Sequence, residues 1–277
     1  MKKIKKIGII GCGSIGTEIA LALKKKLIPA KLIAVCDKDP KKSKQLIKSL
    51  KLPVKNLTLN KLISSVDLVV ETASVDALPE IVEQVIKYGK ELFVLSAGGL
   101  LKDRFLLNRI LRNNTKVYIP NGAIAGVDAV QAGSIAGIDE VSLITRKPPE
   151  GLAGAPYIKK NKINIESLKE EKVIFTGSVF EAIEGFPANI NVSAVLAIAS
   201  NRIGRTKVRI IADPNIKRNI HEVSVKGKFG TIFTRVENVP SPSNRKTSYL
   251  AILSAISLLR MICAGSTLVA NSTNLKK

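Results

Sequence analysis

The chain of 277 residues has no tryptophan, a single histidine and three cysteines, and only 4% of its residues are aromatic. Each scarcity excludes something. Cys12, Cys36 and Cys263 form no CxxC pair and are odd in number, so neither a disulfide framework nor a zinc-ligand set is expected, and no metal site is assigned. That thiol usage fits a reducing compartment, and the cytoplasm is the expected location. Few aromatics mean few platforms on which nucleobases can stack. Acidic residues are scarce too: 22 stand against 44 Lys and Arg, a formal net charge of +22. Such a charge admits a nucleic-acid partner. The lysines are spread along the chain, however, so the reading is a solvated basic surface that attracts an anionic small molecule. Nucleic acid is not expected as the partner.

Long hydrophobic runs are also missing. "MKKIKKIGIIGC" joins basic residues to an apolar run of only Ile7 to Ile10, short of the ~7–15 residues of an export signal. "SYLAILSAISLLRMICAGSTLVA" is interrupted by Arg260 and by serines, short of the ~18 uncharged apolar residues of a membrane span. It reads as a buried helix, and no membrane partner is expected.

What is present begins at the N-terminus. An apolar run, Ile7 to Ile10, leads into Gly11, Gly13 and Gly16 in GxGxxG spacing. Ile15, Ile19, Ala22 and Leu23 then recur at helical spacing. Strand, tight turn and helix in that order form a dinucleotide-binding fingerprint, with Ser14 and Ile15 inside it. Asp37 ends the next strand, "KLIAVCDKD", at the distance of ~20 residues expected of an acid that binds the adenosine ribose. It favours NAD; Lys38 and Lys41 nearby leave NADP open. Three further apolar runs end in small residues: "VDLVVETAS" at Ala73 and Ser74, "ELFVLSAGGL" at Ser96 and Ala97, and "KVYIPNGAIAG" at Ala123. Helical patterns lie between them. The alternation predicts an α/β fold with a doubly wound parallel sheet and a ligand at the strand ends.

After residue 125 the rhythm changes to polar–apolar alternation, as in half-buried antiparallel strands. A smaller α+β domain with a mainly antiparallel sheet is expected there, covered by a helix in "NINVSAVLAIASNRIG". A last helix, with Thr247 and Ser248 as its N-cap pair, is expected to pack back on the first domain. The predicted division is a Rossmann domain over 1–122, a substrate domain over 123–245 and the returning helix over 246–277.

The lone histidine, His221, stands in "NIHEVSVKGKFG". On a strand it shares a face with Val223 and Val225, while Glu222 and Ser224 face the other way. That pattern fits a core histidine held by one hydrogen bond. It also fits a proton-transfer group, since an imidazole is easily tuned for work near neutral pH.

The stretches "GIIGCGSIG", "VVETAS", "LSAGGL", "PNGAIAGVDAV", "TRKPPEGLAGAP", "FEAIEGFPANINVSA", "NIHEVSVKGKFG" and "PSPSNRKTSYLAILSAI" make the chain resemble the L-aspartate dehydrogenase family of archaea and bacteria along essentially its whole length. One departure is Arg245, where the family often has proline. The resemblance implies NAD- or NADP-dependent oxidation of L-aspartate to iminoaspartate, which water converts to oxaloacetate and ammonia. In some members the imine feeds NAD biosynthesis. By motif position, His221 matches the family's active-site histidine, and Ala123 and Asn189 match cofactor-binding positions.

A substrate with two carboxylates calls for cations or N–H donors. Asn244, Lys246 and Thr247, at the start of the last helix, are the candidates, with Arg146 and Lys147 behind them. The residues leave open whether His221 acts on the ammonium or on the water that attacks the imine. Other Rossmann-type dehydrogenases of amino-acid metabolism share the layout, and a non-catalytic NAD sensor or nucleic-acid-binding protein would explain the charge. An exposed antiparallel sheet face makes a homodimer the expected assembly.

Overall fold

The structure, a computed structural model, describes residues 4–187 and 190–265, the side chains of residues 104, 245 and 246 excepted. Six parallel strands form the first sheet: β1 (Lys5–Ile10), β2 (Ala30–Cys36), β3 (Lys55–Asn56), β4 (Leu68–Glu71), β5 (Glu91–Val94) and β6 (Val117–Tyr118). Their spatial order is β3-β2-β1-β4-β5-β6. The chain moves outward in one direction from β1 through β3, then crosses to the other side of β1 for β4. That reversal opens a crevice beyond the carboxyl ends of β1 and β4, the place where such sheets take their ligands. Apolar cores fill both faces: Ile7, Ile9 and Phe93 on one, Val69, Leu92 and Val94 on the other.

The second sheet holds β7 (Ile138–Lys147), β8 (Lys172–Ser178), β9 (Lys207–Ala212), β10 (Asn219–Gly227) and β11 (Gly230–Asn238), in the order β11-β10-β7-β9-β8. Its pairs are antiparallel except β7 with β9. The parallel pair reflects a long connection between those strands, where a hairpin would have forced an antiparallel one. Along β7, Val141, Leu143, Thr145 and Lys147 are buried and the residues between them half-exposed. Along β10, His221, Val223 and Val225 are the buried set, with Glu222 and Ser224 on the more open face. A nine-residue helix, Asn191–Ala199, buried along nearly its whole length, packs into the same core as Leu143 and Val223.

A short hairpin, β12 (Pro240–Ser241) and β13 (Asn244–Ser248), leads into the last described helix, Tyr249–Ala264. The helix returns to the first sheet: Ala255 and Leu259, both fully buried, join the core that holds Ile7, Ile19 and Ile28. Only the stripe Ile252, Ala255 and Leu259 is buried, at the helical spacing of one face; Leu250 and Leu253 are exposed. Ser248 occupies the N-cap position but makes no capping hydrogen bond. Its hydroxyl instead accepts from Asn219 Nδ2 at 3.3 Å, tying the hairpin to the start of β10.

Candidate functional site

The glycine loop between β1 and the helix Ser14–Lys24 has its shape for steric reasons. Gly11 has a φ of +98°, and a Cβ there would lie 2.5 Å from the Thr72 carbonyl oxygen. At Gly16 a Cβ would lie 2.1 Å from the Gly11 carbonyl oxygen. Gly13 is the opposite case, with nothing within 4 Å of an added Cβ, so the backbone there faces open space. The helix that follows has no side-chain cap and no acidic residue in its first turn. Its leading N–H groups and positive dipole end are left for an anion.

Beside the loop lies a pocket of about 360 Å³ lined by Gly11, Gly13, Asp37, Lys38, Lys42, Thr72, Ala73 and Ser74, among others. Lys42, in the first turn of the next helix (Pro40–Leu50), faces it; Lys41 donates its backbone N–H to the carboxylate of Asp39, the residue that caps that helix. Asp37 stands at the end of β2 with its carboxylate receiving Cys12 N–H at 2.6 Å and Asp39 N–H at 2.8 Å. These features fit a dinucleotide: a cradle without side chains for the pyrophosphate and a carboxylate at the ribose end. A second recess, about 540 Å³, adjoins the loop and is lined by Ser14, Thr17, Lys42, Gln45, Ser243 and Asn244, among others. Ser14 Oγ and Ser243 Oγ are 2.5 Å apart, so the β12–β13 hairpin touches the cofactor helix at its first residue.

Ser96 and Ala97 begin the turn after β5. The Ser96 side chain does not face the crevice; its hydroxyl lies 2.9 Å from Glu71 Oε1. Glu71, at the end of β4, is fully buried and also receives N–H bonds from Ala73 at 2.8 Å, Ser96 at 2.9 Å and Leu95 at 3.2 Å. Burial, the largest influence, holds its carboxyl above the ordinary carboxylate range, and the bonds from Ser96, Ala73 and Leu95 offset part of that rise. Ile15 packs at the edge of the core under β1. Ala123 is buried, with its carbonyl accepting from Asn238 Nδ2 at 3.1 Å. Asn189 lies outside the described residues.

His221 is buried on the inner face of the second sheet, opposite Thr145 of β7. Thr145 Oγ1 lies 3.0 Å from His221 Nδ1, which leaves Nε2 for other partners. Lys147, two residues along β7 and on the same face, is buried as well. Removal from water pulls its ammonium down to about 8. Burial and the nearby Lys147 charge together hold the imidazole at about 3, so His221 is neutral. Arg146 points the other way. Its guanidinium lies 3.1 Å from Glu171, 3.8 Å from Asp213 and 3.9 Å from Glu222. The alternation of the strand thus separates the two cations of "TRKPP", and only Lys147 joins His221. Asn244 lies by the glycine loop, lining the second recess. Thr247 is half-buried in β13, and the Lys246 side chain is outside the described set.

Thr145 and Glu71 are the two functional candidates that the sequence reading passed over. Thr145 was legible in principle, because period-two alternation puts it on the same face as Lys147. Glu71 gave no signal, since three of its four donor bonds come from a turn some 25 residues further along.

Known proteins agree with this layout. The family described as "Aspartate dehydrogenase, C-terminal" matches residues 128–262, and "Homoserine dehydrogenase, NAD binding domain" matches residues 11–120. An L-aspartate dehydrogenase of Methanosarcina mazei is 48% identical over 261 residues, 93% of this chain and 96% of that one. One from Bradyrhizobium diazoefficiens is 40% identical over 265 residues, 94% of each chain. Among solved structures, aspartate dehydrogenase from Thermotoga maritima superposes with a TM-score of 0.75 at 27% identity, covering 97% of this chain and all of that one. A myo-inositol 2-dehydrogenase from Lactobacillus plantarum, at 16% identity and a TM-score of 0.57, shares the fold alone. At that identity and coverage the chain belongs to the L-aspartate dehydrogenase family.

Proposed function

We propose that this chain oxidises L-aspartate to iminoaspartate with NAD, and that the imine goes on to oxaloacetate and ammonia or to NAD biosynthesis. The observation that carries the reading is a neutral, buried imidazole next to a buried ammonium, in a chain that also builds a dinucleotide crevice. NAD, when bound, supplies the acceptor for the hydride leaving the α-carbon. Gly11, Gly13, Ser14, Ile15 and Gly16 hold its pyrophosphate, and Asp37 accepts from the adenosine ribose hydroxyls. Ala73, Ser74, Ser96, Ala97, Ala123 and Asn189 border the remainder.

The ammonium of aspartate must lose a proton before its nitrogen lone pair can expel hydride. His221 takes that proton at Nε2, the nitrogen that Thr145 does not hold. Lys147 binds a substrate carboxylate, with Asn244, Lys246 and Thr247 as further contacts. Pairing Lys147 with a carboxylate relieves its repulsion of a proton on His221. The imidazole thus becomes a stronger base once the substrate is seated. In this reading residues 1–122 carry the cofactor, 123–245 the substrate and 246–277 the returning helix. NAD is preferred and NADP accepted, the assembly is a homodimer, and the site of action is the cytoplasm. Among the described residues no helix is long and apolar enough to cross a membrane.

The test is NADH formation by the purified protein with L-aspartate, set beside NADP as cofactor and L-glutamate, L-homoserine and L-malate as substrates. Turnover with aspartate alone is expected. Cofactor binding without turnover on any of the four overturns the reading.

A further inference from the structure

We propose that Glu71 is a fixed negative charge under the cofactor crevice that favours the oxidised, cationic nicotinamide ring over the neutral reduced one. The inference rests on the reading of the crevice as an NAD site. It starts from an anomaly: β4 is otherwise Leu68, Val69 and Val70, all fully buried, yet it ends in a carboxylate with no exposure at all. A buried anion is costly unless every lone pair is engaged. Here both oxygens are, with Oε1 taking the Ala73 N–H and the Ser96 hydroxyl, and Oε2 the N–H groups of Leu95 and Ser96. Three of the four partners are backbone N–H groups, which can only donate, so both oxygens are held as acceptors and the ionised form is favoured against the rise that burial imposes.

The topology places this charge. Asp37 ends β2, on one side of the glycine loop that follows β1. In the sheet order β2-β1-β4-β5, Glu71 of β4 pairs with Ile10 of β1 on the other side, and with Val94 of β5. A dinucleotide laid across these strand ends with its ribose at Asp37 and its pyrophosphate at the loop sends its nicotinamide half toward β4 and β5. The turns that Glu71 holds, at Ala73 after β4 and at Ser96 after β5, border that half. A carboxylate there attracts a pyridinium and gains nothing from a dihydropyridine. The chain thereby loads the oxidised cofactor and lets the reduced one go.

A merely structural clamp would affect both cofactor forms alike, so the ratio of their affinities is the readout. NADH binding is followed by its fluorescence on the purified full chain, and NAD by competition against it. Glu71→Gln keeps the shape and removes the charge; it is expected to raise Kd(NAD)/Kd(NADH) by roughly fivefold or more. Ser96→Ala removes one of the donors that keep the carboxylate ionised, so at neutral pH it moves the ratio the same way by a smaller factor, about threefold, and the change is recovered as pH rises. The second variant decides the matter if the first does not fold. A ratio unchanged from wild type in the folded variants overturns the inference while the NAD reading stands. Wild-type protein that binds neither form overturns both.

Discussion

Replacing Lys147 by methionine is expected to stabilise the protein and to abolish turnover. The magnitude follows from the burial of the ammonium. Its proton affinity falls from 10.5 to about 8 on folding, with desolvation as the cause. Each unit is worth about 1.36 kcal/mol, so the charged lysine costs the native state about 3 kcal/mol. The sign depends on pH. Between about 8 and 10.5 the unfolded chain holds a proton that the folded chain has released, so wild-type stability rises with pH across that window. Below about 8 both states are protonated and the full cost stands; above 10.5 both are neutral and it vanishes. Methionine has similar length and no charge, and it adapts to irregular space. Urea unfolding of Lys147→Met should therefore show a gain of about 3 kcal/mol at pH 7 that shrinks toward zero by about pH 10.5. A variant less stable than wild type at pH 7 would refute the reasoning, because the contacts of the ammonium would then outweigh its dehydration. A stabilised variant that turns over normally would refute the assignment of Lys147 to the site.

Three further outcomes are expected. His221→Ala should leave NAD affinity nearly intact and lower kcat by ~10²–10⁴; equal loss of binding and turnover would mark a structural histidine. Gly16→Ala drives a methyl into the Gly11 carbonyl, where a Cβ has only 2.1 Å, so calorimetric titration should show NAD affinity down by at least about tenfold. Lys42→Ala, at the lip of both pockets near Asp37, should lower kcat/KM for NADP by about tenfold and leave that for NAD within about twofold, since only NADP brings a 2′-phosphate to that end. Equal effects on the two cofactors would remove Lys42 from phosphate recognition.

The cofactor half was legible because its constraints are local. The turn at Gly11, the close approach at Gly16 and the strand-end position of Asp37 each follow from a short stretch of chain. The face of His221 was equally legible, since period two on a strand fixes what its neighbours do. The same rule, applied to "TRKPP", separates Lys147 from Arg146, but it does not say which of the two faces inward. Tertiary packing decides that, by giving Arg146 three carboxylates on the open face of the sheet. Glu71 was out of reach for a related reason. A glutamate closing an apolar strand reads as the point where the chain meets water. Only the convergence of Ala73, Leu95 and Ser96 around it reveals an enclosed carboxyl group. Ser248 has the right residue type and position for a cap, but Asn219 from a distant strand competes for its hydroxyl.

The return of the last helix to the first sheet has a consequence for biosynthesis. The ribosome delivers β1 about 250 residues before Leu259, yet Ile7 and Ile9 of that strand share one apolar core with Leu259. At roughly 5–20 residues per second, the interval between the first half and Leu259 is on the order of ten seconds. Throughout that time the nascent nucleotide-binding half carries an open apolar seam where Ala255 and Leu259 will sit. The nucleotide-binding half is thus made well before its core is closed, and truncation anywhere before residue 255 removes the side chains that close it.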